Sequence, residues 1–265
     1  MILYPSTFSG WTTRRAFFLF NHNKKQTTMS TTGLIKEDAN PVTQEQTMLL
    51  DNPVMENVLA IVKDEQPIGS FVMLTPDAVH TLVEHNVHVI MQRGFASHSQ
   101  FTDMDYADVG ADFEDDFFAL SRMAKVLAKF TPFTDEQIGL MKDEQIIFST
   151  QFPSQLNITQ IEKLNSKKIT ALAMNLVKDA EGMYVTDKIL SETWSTVAVN
   201  IALSGFLLPL VEALAVEPKI KFLLQKNPSL MQSTYCFNGY LCNKEIAELL
   251  GQSCNDITSL CWDMN

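Results

Sequence analysis

Asn57-Val58-Leu59-Ala60-Ile61-Val62 is a continuous apolar run of strand length, the kind that is buried on both faces of a parallel sheet. Just downstream, Thr75 can cap and Pro76 can open a helix whose Val79, Leu82 and Val83 fall on one face. Residues 87–91 form the next strand. The alternation repeats, with strands near 125–129, 145–149 and 168–173 and helices near 103–109, 134–141 and 159–164. Strands spaced by helical stretches imply βαβ units, hence an α/β fold with a single mostly parallel sheet and flanking helices.

After residue 187 the pattern changes. Residues 190–216 read as one long helix, roughly 40 Å at 1.5 Å per residue, and 197–216 are nearly all apolar. The length would suit a membrane span. Asn200, Pro209 and Glu212 inside the run, with no basic flank at its start, favour a buried helix kinked near Gly205 and Pro209. A small β-hairpin follows, because Asn238-Gly239 between two short apolar runs is a type I′ turn signal. Residues 244–250 then read as a helix ended by Gly251.

The chain has 265 residues, 46% hydrophobic and 19% charged, an ordinary composition for a soluble globular protein. Its net charge of −11 understates the acidity of the body, because residues 1–28 carry Arg14, Arg15, Lys24 and Lys25 and no acid. Such a body argues against nucleic acid, which requires a basic face. Residues 1–52 read as a disordered or loosely packed leader. Arg14-Arg15 opens a twin-arginine-like stretch whose apolar run stops at Phe20, too short for export, and the true start is either Met1 or Met29. Cys236, Cys242, Cys254 and Cys261 contain no CxxC pair and read as reduced thiols of a cytoplasmic protein. The nearest glycines, Gly239 and Gly251, stand twelve apart, so no GxGxxG turn exists and no nucleotide cofactor is expected.

Several stretches line up with one family. Leu74-Thr75-Pro76-Asp77-Ala78-Val79, then Leu82-Val83-Glu84-His85, Val87-His88-Val89-Ile90, and Phe101-Thr102-Asp103 with Asp105-Tyr106 and Gly110-Ala111 resemble the opening of the alanine dehydrogenase and nicotinamide nucleotide transhydrogenase family. Lys168-Ile169-Thr170-Ala171-Leu172-Ala173 and Leu190-Ser191-Glu192 continue the match. Ala202-Leu203-Ser204, Pro209-Leu210, and the hairpin and helix over residues 235–250 resemble the extreme C-terminus of those enzymes. The resemblance implies a flavodoxin-like substrate domain. Residues 53–189 would form the N-terminal-like domain, and 190–265 a fused connecting helix plus the family's C-terminal segment in the same structural domain. The NAD-binding domain that the family inserts between these parts would be missing, the join falling inside one helix near residues 196–200.

The same resemblance locates the chemistry. Family members bind the substrate carboxylate with an arginine in an RRVALTP motif, a lysine in KVKEP and a histidine at the end of a TYLHLA strand. Here the arginine position carries Phe71, the lysine position Phe130 or, with a one-residue gap, Thr131, and the histidine position Phe152. A carboxylate needs a cation of fixed geometry, and none of these supplies one. Lys129 is adjacent, but neighbouring residues on a strand face opposite sides. The stretch Phe152-Pro153-Ser154-Gln155 is closer to the transhydrogenase branch. Other candidates read as structural: His80, His85, His88 and His98 as surface histidines, and Ser191-Glu192 as a helix cap. Asp103, Asp105 and Glu114 occupy three places of a calcium loop that Ala107 and Asp108 spoil, which leaves a solvated acidic face.

The expected function is therefore a non-catalytic relative serving as a binding or assembly module, with no catalytic, cofactor or metal residues. Its partner would be a second copy or a full-length paralogue, joined through Ile201, Phe206, Leu207 and Leu210 on the apolar helix, with no nucleic acid and no membrane. Two alternatives remain open: an oxidoreductase subunit whose NAD-binding domain comes from another chain, and a small-molecule sensor with a cleft formed by Phe71, Lys129, Phe130 and Phe152.

Overall fold

The computed structural model describes residues 57–66, 69–193 and 195–262, all within the compact unit Leu50–Asn265. The leader expected over residues 1–52, and with it the choice between Met1 and Met29, lies outside the described residues. In chain order the elements are β1 (Val58–Ile61), α1 (Pro76–Glu84), β2 (His88–Gln92), α2 (Asp103–Ala107), β3 (Asp112–Glu114), α3 (Phe117–Met123), β4 (Val126–Ala128), α4 (Asp135–Leu140) and β5 (Ile146–Ser149). There follow α5 (Ile158–Ser166), β6 (Thr170–Ala173), α6 (Val185–Glu192), α7 (Thr196–Val216), α8 (Ile220–Lys226), α9 (Pro228–Ser233), β7 (Thr234–Phe237), β8 (Tyr240–Leu241), α10 (Lys244–Leu250) and α11 (Ile257–Trp262).

Among the described residues the strands form one eight-stranded sheet in the order β3-β2-β1-β4-β5-β6-β7-β8. The first six run parallel and the hairpin β7–β8 adds antiparallel to β6. Apart from the three-residue edge strand β3, the parallel order is the flavodoxin-like winding, with its reversal between β1 and β4. Alternate strand residues feed opposite cores. Leu59, Ile61, Val126 and Ala128 pack with Val79, Leu82 and Tyr106 of α1 and α2 and with Leu203 and Leu207 of α7. On the other face Ala60, Val62, Leu127 and Ile147 pack with residues of α3, α4, α5 and α10.

The local chemistry accounts for the element ends. Thr102, Thr134 and Asn157 each form a reciprocal capping box with the residue three positions on. The hairpin turn holds Asn238 and Gly239 at φ 49° and 85°, as a type I′ turn requires, and α10 ends on Gly251 at φ 62°.

One expectation is corrected. Residues 190–216 are not one helix: α6 ends at Glu192, Thr193 and Ser195 are extended, and α7 begins at Thr196. Ser191, Thr193, Ser195 and Thr196 crowd this stretch with hydroxyl side chains, which compete for backbone hydrogen bonds and favour breaks over helix interiors. The expected fusion point therefore lies beside a break between two helices and at the start of α7, not within an unbroken helix. The acidic run is the solvated face expected, with Asp105, Asp108, Asp112, Asp115 and Asp116 exposed; within it Asp112–Glu114 is a strand paired to β2 and Asp116 caps α3 by accepting from the Ala119 N–H.

By length and composition α7 could cross a membrane, but it lies in the core. Leu203, Leu207, Val211 and Leu214 are buried. Its two buried polar residues face the loop entering α1, where Asn200 Oδ1 accepts from the Val72 N–H at 3.0 Å and Ser204 Oγ accepts from the Thr75 N–H.

Candidate functional site

In a doubly wound sheet the crevice outside the carboxyl ends of the strands, at the reversal of strand order, is where ligands bind. Here that place is bounded by Lys63 and Asp64 after β1, by Lys129, Phe130 and Thr131 after β4, and by Thr150, Gln151 and Phe152 after β5. The pleat sorts them. Phe130 is buried in the core beneath α1 and α7, against which Phe71 also packs. Lys129 faces the opposite side, 1% exposed, with Nζ donating to Gln137 Oε1 at 3.2 Å and lying 5.8 Å from the centre of the Phe133 ring. Burial pushes its ammonium below the ordinary lysine range, while Glu65 and Asp64 pull the other way.

The polar groups around these strand ends close on one another. Buried Asp64 accepts through Oδ1 from the Thr131 N–H at 2.8 Å and the Thr131 hydroxyl at 2.6 Å. Thr150 donates from Oγ1 to the Phe130 carbonyl at 2.6 Å. Asn175 accepts from the Gln151 N–H at 2.7 Å and donates back to its carbonyl at 3.0 Å. Ser149 Oγ is the exception, buried with no hydrogen-bond partner. The parallel register that pairs Ala128 with Phe148 sets Ser149 beside Lys129 on the same face. Sequence reasoning missed Asp64, Ser149 and Asn175. For the first two a signal existed: a short polar side chain at the end of an apolar strand.

The residues expected to share one cleft are therefore divided. Phe71 and Phe130 belong to one face, Lys129 and Thr131 to the other, and Phe152 is 39% exposed at the start of a 3₁₀ turn, Pro153–Gln155. The histidines are dispersed: His80 pairs with Glu84, His85 Nδ1 lies 2.7 Å from Glu212 Oε1, His88 Nε2 lies 2.6 Å from Asp112 Oδ2, and His98 meets the Phe71 carbonyl. Asp103, Asp105 and Glu114 serve separate local turns, accepting from the N–H groups of Gly94, Thr102 and Asp115 respectively. All four cysteines are free, and burial pushes the Cys242 thiol up to about 12.

The four expected interface residues also divide. Leu207 and Leu210 are buried in the core beneath α7 and are not available as surface contacts; Phe206 is half-buried, and Ile201 is 63% exposed. The reason is helical geometry: Leu203, Leu207, Leu210 and Leu214 repeat at three- and four-residue spacing along one face, which the sheet takes up. Val197, one turn before Ile201, is 46% exposed, and both line a small cleft of about 190 Å³ with Thr75 and Phe101.

Residues 61–191 match the family described as alanine dehydrogenase/PNT, N-terminal domain. Among curated proteins no match is found. Among solved structures the chain is similar to an L-alanine dehydrogenase, with a TM-score of 0.62 and 11% identity over 72% of this chain and 98% of that one. It is also similar to a transhydrogenase from Sinorhizobium meliloti, with a TM-score of 0.43 and 19% identity over 51% of this chain and 39% of that one. At 11% identity the first likeness establishes a shared fold.

Proposed function

From a chain related to the N-terminal domain of the alanine dehydrogenase and transhydrogenase family, we propose a non-catalytic relative that acts as a binding or assembly module in the cytoplasm, without an NAD site of its own. One observation carries this reading. On the face shared by Phe71 and Phe130 the strand ends offer hydrocarbon where a substrate carboxylate would need a cation, and Lys129 is turned away beneath Phe133 and Gln137. The absence of any GxG turn in the 265 residues supports the same conclusion for the coenzyme.

The test is calorimetric titration of the full chain with NADH and NADPH, together with an assay of alanine and pyruvate turnover. No turnover is expected, and no coenzyme binding that depends on the strand-end crevice; turnover by the chain alone, or tight coenzyme binding that persists when Lys168 and Lys219 are both changed to Glu, overturns the reading. Turnover that appears only when an isolated NAD-binding domain is added would favour the oxidoreductase-subunit alternative. For the partner we propose a second copy or a full-length paralogue docking on the exposed start of α7. Val197 and Ile201 present apolar surface there to solvent.

A further inference from the structure

At the opposite end of the strands, where β4, β5 and β6 begin, lies an open cleft of about 610 Å³. Its charge is out of keeping with the chain. Against 31 acidic and 20 basic residues overall, Lys125, Lys168, Lys219 and Lys221 line this one cleft with a single acid, Glu144. These lysines come from separate places in the fold: Lys125 from the approach to β4, Lys168 from the turn into β6, Lys219 from the link between α7 and α8, and Lys221 from the first turn of α8.

The framework that holds them is built. Lys125 Nζ donates to the carbonyls of Ala215 and Glu217 and so ties the end of α7, and the link after it, to the start of β4. Lys168, Glu144 and Asn238 on the rim have φ of 51°, 60° and 49°, a left-handed backbone conformation that side chains beyond glycine adopt at a steric cost. Lys168 and Lys219 are exposed, and among the described residues their ammonium groups form no ion pair. Apolar lining comes from Ile146, Pro218, Ile220, Phe237 and Leu260, with Thr170 and Asn238 as its neutral polar members. A cationic rim over hydrocarbon suits neither a bare inorganic ion nor an apolar molecule; it suits an organic anion of a few hundred cubic ångströms.

We propose that this cleft binds a small phosphorylated organic molecule of nucleoside diphosphate size. Its phosphates lie against Lys168 and Lys219, and its apolar body rests over Phe237 and Ile220. The site stands at the amino ends of the strands and Phe130 at their carboxyl ends, so it does not depend on the fate of the substrate crevice.

The test is calorimetric titration of the full chain with ADP, and separately with its halves, inorganic pyrophosphate and adenosine. ADP is expected to bind more tightly than either half, and less tightly as salt rises from about 50 to about 500 mM. In the double variant Lys168→Glu/Lys219→Glu the ADP dissociation constant should rise at least about tenfold, which is about 1.4 kcal/mol, with the melting temperature retained because both side chains are exposed. Should charge reversal disturb folding, Lys168→Gln/Lys219→Gln provides the same comparison with a smaller loss. No heat with ADP, adenosine binding as well as ADP, or ADP binding unchanged in a folded double variant would each overturn the proposal.

Discussion

Exchanging Lys129 for methionine should make the protein more stable at neutral pH. Lys129 is 1% exposed, and among the described residues the only hydrogen-bond partner of its Nζ is Gln137 Oε1 at 3.2 Å. That oxygen also accepts from the Thr134 N–H at 3.1 Å, so the cap of α4 survives the exchange. Asp64 keeps both of its bonds to Thr131. Methionine thus fills similar volume and orphans no acceptor. Replacing buried ionic groups by apolar ones of like shape is neutral to stabilising by about 1–4 kcal/mol. Because Glu65 and Asp64 attract the ammonium, the low end of that range applies, about 1–2 kcal/mol. At about 2–4 °C per kcal/mol for a domain of this size, the melting temperature rises by about 2–8 °C. The pH dependence supplies the sign. The folded-state pKa lies below the ordinary 10.5 because of burial, so between the two values the unfolded chain holds more protons and stability climbs with pH. The penalty is therefore fully present below the folded value and fades as pH rises toward 10.5. Urea unfolding of both proteins at pH 7 and pH 10 should show the larger gap at pH 7. A less stable variant at pH 7, or an equal gap at both pH values, would refute the reasoning.

Asn200→Leu should destabilise by about 1–3 kcal/mol, because the buried N–H of Val72 loses its acceptor; a shift in the urea midpoint reads this out. Gly239→Ala should cost more than about 1 kcal/mol, since the position has φ 85° and an added Cβ would meet the Asn165 carbonyl oxygen at 3.2 Å. If α7 docks a second copy, Ile201→Asp should shift sedimentation toward monomer with little change in melting temperature, given the side chain's 63% exposure; an unchanged dimer would remove Ile201 from the interface.

What could be read from the sequence follows from how much each feature depends on distant residues. The run at β1 is buried at all four positions, and its length and apolar continuity suffice to mark a central parallel strand. Asn238-Gly239 was legible because positive φ is a property of those two residues. The helix α3 was not: only Leu120 and Ser121 are buried, too weak a period to stand out behind the acidic run. The break between α6 and α7 was hard to read because helical stretches lie on both sides of it, and the hydroxyl residues Ser191, Thr193, Ser195 and Thr196 that favour it also suit a helix cap. The substitutions at Phe71, Phe130 and Phe152 came from comparing motifs. Which of them share a face could not, since Gln137, Phe133 and Asp64, which surround Lys129 and Thr131, are brought there by tertiary pairing.

The two alignments of the family's lysine position put a cation in different surroundings. In an extended chain Lys129 and Thr131 point one way and Phe130 the other, and a one-residue slip exchanges the faces. A lysine at 131 would stand against Asp64, where Thr131 now donates. A lysine at 130 would enter the apolar core beneath α1 and α7, on the side of Phe71. It follows that Phe130→Lys does not restore a carboxylate clamp. The substitution removes a buried aromatic ring, a loss of about 3 kcal/mol or more, and places an unpaired ammonium in hydrocarbon, which costs further. Against a total stability of about 5–15 kcal/mol, the variant should be largely unfolded or melt far below the parent, and show no turnover of alanine with NAD. A folded Phe130→Lys variant that gains alanine binding would place the ancestral cation site at residue 130 with its pocket intact, and would contradict the view that this face has closed.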